Sequence, residues 1–198
     1  MGGPGLSWPG LWGPPSRTGG YRDAMTVEDG NGWVECACGG RHWGRHGAAG
    51  LLLMRPGRNG HSSGAHEVLL QLRAAWTHEG GTWGLPGGAL DSHEDVVAGA
   101  LREAAEEAGI DPSVVRIVAC LPGVDHGAWS YTYVLGVCPD GTAVDVRTLE
   151  SDELRWVLLD GVAELPLHSG LAAAWPRLSD AVSSAVSRSP WLCGSADP

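Results

Sequence analysis

Between a glycine-rich turn at Gly84–Gly88 and a lone Gly109, the chain runs through His93–Ala108 with the spacing of an amphipathic helix. At 3.6 residues per turn, Val97, Leu101, Ala104 and Ala108 share one stripe, suited to packing on a sheet. Glu103, Glu106 and Glu107 fall on the other side, and their i, i+3, i+4 spacing stacks three carboxylates in a narrow arc. Asp91 or Ser92 is placed to cap this helix, with Glu94 and Asp95 in its first turn. Gly109 should stop it, with Pro112 soon after. Like charges at this spacing repel by several tenths of a kcal/mol per pair in an isolated helix. Either water on an exposed face or a divalent cation with hard oxygen ligands must offset that repulsion.

The surroundings favour the cation. Gly88, Glu94, Arg102-Glu103-Ala104, Glu106-Glu107 and Gly109-Ile110 stand at fixed intervals. Together they resemble the motif G-x5-E-x7-R-E-U-x-E-E-x-G-U (U aliphatic) of the MutT-like Nudix hydrolase family, with every defined position met and Ala104 the one permissive match. The resemblance extends from about Trp33 to Trp175. It implies an α/β/α sandwich, a mixed β-sheet flanked by helices. It also implies a Mg²⁺-dependent hydrolase, with Mn²⁺ as the alternative ion, that cleaves the diphosphate linkage of a nucleoside diphosphate derivative. Carried over residue by residue, Glu106 and Glu107 resemble the main metal ligands, and Glu103 a further ligand or the base. Gly87 matches the position whose carbonyl completes the coordination. Arg102 would hold a carboxylate in its productive rotamer, and Glu94 would pair with Arg102. Family members place a general base or extra ligand on a loop near Glu150, Asp152 and Glu153, and Glu150 stands at the more typical distance from Trp156.

A nucleoside triphosphate is the first substrate reading. Pro122 lies nearer the motif than the proline of family members that act on ADP-ribose, so an ADP-ribose or nucleotide-sugar pyrophosphatase is the second. A non-catalytic nucleotide-sensing domain is the third, disfavoured by the intact carboxylates. The net charge of −10 argues against stable binding to nucleic acid or an anionic membrane, and an anionic substrate would need cations to bridge it to an acidic site. No Lys occurs, which excludes a Walker-type phosphate loop and Schiff-base chemistry. No stretch resembles a signal peptide or membrane span, so a cytoplasmic monomer or homodimer with reduced thiols is expected.

Along the chain, 1–32 lacks apolar periodicity and reads as a disordered tail in which Met25 could be the true start. Residues 33–190 read as the Nudix hydrolase domain and 191–198 as a second disordered tail. Strands are expected at Gly47–Met54, Glu67–Leu72, Val114–Leu121, Trp129–Cys138 and Leu154–Leu159, with a turn at Pro56–Gly64. A terminal helix from His168 to Val186 should be interrupted or kinked near Pro176. One central and one terminal helix among these strands suggest a mixed sheet covered by helices. Cys36, Cys38, His42 and His46 form a compact C-x-C-x3-H-x3-H group. The histidine spacing suits zinc, but the tight cysteine spacing points instead to a turn with reduced thiols. Trp83, Trp129 and Tyr131 could stack on a nucleobase, although strand aromatics more often pack. His78, His126 and His168 have no partner at motif spacing.

Overall fold

The computed structural model describes residues 28–57 and 65–187. Most of both expected tails and most of the Pro56–Gly64 turn lie outside them. Nine strands and two α-helices follow in order: β1 (Trp33–Glu35), β2 (Arg41–Trp43), β3 (Ala48–Pro56), β4 (His66–Arg73), β5 (Trp83–Gly84), β6 (Gly87–Ala89), α1 (Val96–Ala108), β7 (Arg116–Asp125), β8 (Ser130–Val137), β9 (Ser151–Leu158) and α2 (Ser169–Ser187). β1 and β2 form a separate antiparallel ribbon. The other seven strands make one mixed sheet in which only the β3–β8 pairing is parallel.

Every residue from Ala48 to Arg55 on β3 is buried, as a central strand covered on both faces requires. Alternate side chains explain how. Leu51 and Leu53 join Leu69, Ala100, Ala104 and Ala108 in the core under α1. Leu52 and Met54 join Val68, Leu70, Leu171, Trp175, Leu178 and Val182 under α2. The result is the α/β/α sandwich that the motif implies. The α1 stripe is shifted: Ala100, Ala104 and Ala108 are its buried centre, with Val97 and Leu101 at its margin.

Three local expectations are corrected. Helix α1 starts at Val96 rather than His93, and its cap is Asp95, whose carboxylate accepts from the N–H groups of Val97 and Ala98. Asp91 is committed elsewhere: it is buried, and its Oδ1 accepts the Gly30 N–H at 2.8 Å. Asp29 likewise accepts the Ser92 N–H at 2.9 Å, so residues 28–32, read from sequence as tail, pack on the turn before α1. Helix α2 runs uninterrupted with Pro176 inside it. Gly109 ends α1 as expected, with φ 66°, and its N–H turns back to the last-turn carbonyls. The β1–β2 ribbon, β5 and β6 have no counterpart among the expected strands, because each is only two or three residues long.

Candidate active site

Strand β6 carries the glycines Gly87 and Gly88 to the side of α1 that bears the glutamates. A Cβ on Gly87 would collide with the backbone of Ala49 and Gly50, and one on Gly88 would strike the Glu103 carboxylate. Both positions need glycine for this close approach. It lets the Gly87 N–H donate to Glu107 Oε2 at 2.9 Å.

The three glutamates of the arc meet different environments. Glu106 is exposed, Glu103 is half-buried and Glu107 is only 8% exposed. Burial pushes the Glu107 carboxyl up to about 7, helped by the neighbouring Glu103 and Glu150 carboxylates and opposed by the Gly87 N–H and the Gln71 amide. Burial also raises Glu103, against the pull of Arg102. Among the described residues no ion pair reaches Glu107.

Arg102 organises the rest. Its Nε and NH2 donate to the two Glu94 oxygens at 2.8 and 3.0 Å, a two-point pairing that fixes the guanidinium plane. NH1 donates to Glu103 at 3.0 Å and to Glu106 at 3.1 Å, and NH2 also reaches the Ala89 carbonyl at 2.9 Å. Burial tends to raise Glu94, but these bonds and the Asp91 N–H outweigh it and hold the carboxyl below its usual range. One cation therefore ties the two outer carboxylates of the arc and leaves the buried one alone.

Across the site, Glu150 lies just before β9 and contributes charge at Glu107, whereas Glu153 is held by Arg155 at 2.8 Å. Gln71, fully buried on β4, links the halves by donating to Ser151 and stabilising ionised Glu107. Gln71 stands outside the motif, and its sequence signal is a lone amide within the apolar run Glu67–Leu72. Tyr131, one of the three aromatics with a possible stacking role, lies near the Glu107 and Glu103 charges. Its hydroxyl lies over Gly50, where any Cβ would clash, and burial together with the Tyr133, Glu107 and Glu103 charges keeps it protonated. Of the remaining aromatic candidates, Trp83 is buried in the α2 core under Arg155. Trp129 stacks on His42 at 4.3 Å. His168 faces Glu79 at 3.7 Å, near His78.

The donor set suits a hard divalent cation. The carboxylates of Glu103, Glu106 and Glu107 are oxygen ligands of the kind Mg²⁺ takes, and a buried carboxylate without a cationic partner is stabilised by such an ion. The model of the NUDIX domain matches residues 44–178, which spans most of the chain and includes every residue of this site. The chain belongs to the Nudix hydrolase family. It is 50% identical over 159 residues to a candidate 8-oxo-dGTP diphosphatase of Mycobacterium tuberculosis, covering 77% of this chain and 70% of that protein. It is 39% identical to a nucleoside triphosphate pyrophosphatase/Nudix hydrolase fusion protein of Bifidobacterium longum, covering 88% of this chain but only 39% of the fusion. Among solved structures, the Nudix hydrolase RenU of M. smegmatis is 46% identical, with a TM-score of 0.72 over 78% of this chain and 96% of that one. No helix among the described residues is long and apolar enough to cross a membrane.

Proposed function

We propose that this Nudix hydrolase is a Mg²⁺-dependent pyrophosphohydrolase of nucleoside triphosphates, with oxidised purine triphosphates among its substrates. The observation that carries the reading is the burial of Glu107 against Gly87, with no ion pair to it among the described residues. A solvated acidic face would leave all three glutamates of the arc in water. Here one is withdrawn from it, at a cost that a bound cation offsets.

Glu103, Glu106, Glu107 and the Gly87 carbonyl would hold the ion, with Mn²⁺ as an alternative to Mg²⁺. When bound, it supplies charge neutralisation of the diphosphate and a lowered pKa for water. The protein's own residues do the rest. Arg102 fixes the Glu103 and Glu106 carboxylates against their mutual repulsion and is itself fixed by Glu94. Glu150, free of the pairing that occupies Glu153, takes the proton of the attacking water as general base. Oxygen from that water bonds to phosphorus, the bridging P–O bond breaks, and pyrophosphate leaves with the electron pair.

The triphosphate is favoured because the relative at 50% identity bears the name of a diphosphatase of such a nucleotide. We further propose a domain from about Glu28 to residue 187, acting on small molecules as a monomer or homodimer. The test is turnover of 8-oxo-dGTP, the ordinary triphosphates, ADP-ribose, dinucleoside polyphosphates and nucleotide sugars with Mg²⁺. Nucleoside monophosphate and pyrophosphate should appear from a triphosphate, and EDTA should abolish them. Turnover confined to ADP-ribose or nucleotide sugars would overturn the substrate assignment.

A further inference from the structure

We propose that Cys36, Cys38, His42 and His126 form a zinc site that fastens the β1–β2 ribbon to the loop between β7 and β8. The sequence spacing nominated His46 as the fourth ligand and favoured an empty turn, but the fold brings a different histidine to the cysteines. His46 turns toward Asp29, 4.0 Å away. His126, from a distant part of the chain, offers a ring nitrogen that lies with the Cys36 and Cys38 sulfurs in one group, all three atoms within 4.8 Å of one another. His42 Nε2 lies 3.2 Å from the Cys38 sulfur, outside the three-atom group, and joins it as the fourth ligand once its ring turns out of the stack with His126 and Trp129. Zinc bonds of about 2.3 Å to sulfur and about 2.0 Å to nitrogen set tetrahedral ligand separations of roughly 3.3–3.8 Å. The Cys36, Cys38 and His126 atoms, all within 4.8 Å of one another, are close enough for side-chain adjustment to close the site.

The loop is also shaped for ligation. Between the cysteines and β2, the chain folds back through Cys36 N–H to Gly40 O and Gly39 N–H to Cys36 O, both 2.9 Å, with Gly39 at φ 87°. The Cys38 N–H points at the Cys36 sulfur at 3.5 Å, which holds the two cysteines on the same side of the turn. Two sulfurs with two imidazoles form a donor set typical of structural zinc and unlike the all-oxygen site on α1.

The ribbon has need of such a fastening. Neither β1 nor β2 contains a buried residue, and Trp33 and Trp43 remain 50% and 43% exposed. A lone two-stranded ribbon is marginal in water. The Trp129 indole N–H to Trp43 O bond, 3.0 Å, already joins the same two segments, and zinc would close the junction beside it. Binding converts two thiols to thiolates and releases their protons to solvent.

The test is metal analysis of the full chain purified without chelator and supplied with Zn²⁺. One tightly held zinc per chain is expected, retained by His46→Ala and by Glu107→Gln, and lost in Cys36→Ser, Cys38→Ser and His126→Ala. As a measurement independent of any variant's folding, Co²⁺ exchanged into the wild-type chain should give thiolate charge-transfer absorption and the intense visible bands of tetrahedral cobalt. Substoichiometric zinc, an octahedral cobalt spectrum without thiolate bands, a Cys36–Cys38 disulfide, or loss of zinc in His46→Ala with retention in His126→Ala would overturn the proposal.

Discussion

Glu107 and Glu106 are adjacent in sequence yet face opposite conditions, because one turns toward Gly87 and the sheet while the other turns to solvent and Arg102. Burial, offset only by the Gly87 N–H and the Gln71 amide, makes the Glu107 charge a liability to the metal-free fold. Replacing it with Gln keeps the shape and removes the charge. Glu107→Gln should therefore raise the melting temperature of the EDTA-treated protein at pH 8, by a stabilisation on the order of 1 kcal/mol. Mg²⁺ should raise the melting temperature of wild type and leave that of the variant nearly unmoved; an unchanged or lowered metal-free value for Glu107→Gln would show that its charge is already compensated. Residue identities on α1 were legible in the sequence because the motif is local. What the motif left out was the division of labour among its acids, which depends on β6 and on Gln71 from β4. Spacing along one helix carries no information about how deep each carboxylate lies.

At the scale of elements, a helix is only as well defined as its ends. Helix α2 begins beside Glu79, whose two oxygens accept from the N–H and hydroxyl of Ser169 at 2.7 and 2.6 Å. Glu79 holds a left-handed conformation, φ 52°, to reach it. Burial tends to raise this carboxyl, yet the Ser169 bonds, aided by His168 and His78, bring it below its ordinary value. A lowered carboxylate pKa means stability that is present above the unfolded value of 4.5 and lost as pH falls through the folded value. Glu79→Ala should cost about 1 kcal/mol at pH 7, as loss of a helix cap does, and the difference from wild type should shrink in melts below pH 4. A pH-independent difference would assign the cost to the backbone conformation instead. Such long-range caps escape sequence reading, and the same blindness misplaced the start of α1. Asp91 and Ser92 look like caps until Asp29 and Gly30 claim them, from far upstream.

For the whole molecule, the apolar runs Gly47–Met54 and Glu67–Leu72 with one central and one terminal helical pattern were enough to read a covered mixed sheet, because a strand buried on both faces requires two layers. The β1–β2 ribbon was not legible, since three-residue strands without a buried side chain leave no periodic signal. Removing residues 1–24, which carry no periodic apolar face, should leave the melting temperature and turnover unchanged. Removing residues 1–32 also deletes the buried Gly30 bond to Asp91 and the carbonyls of Gly30 and Gly32 that accept from Arg45 and Gly44, each at 2.8 Å. That deletion should lower the melting temperature by several degrees, a loss of roughly 1–3 kcal/mol for orphaned buried groups. Equal melting of both truncations would show that residues 28–32 do not belong to the domain.

On the proposed function the glutamate face of α1 holds a metal ion, whereas a solvated face would tolerate neutral side chains. Steady-state turnover of Glu106→Gln and Glu107→Gln on a triphosphate with Mg²⁺, against Asp111→Asn as control, separates the two. Asp111 lies just past the motif and caps only the short turn at Ser113. An amide is a far weaker ligand than a carboxylate for a hard cation, so each Gln variant should lose roughly 10³-fold or more in rate, while Asp111→Asn stays near wild type. Near-normal Mg²⁺-dependent turnover in both Gln variants would mean that these carboxylates form a solvated face and hold no metal.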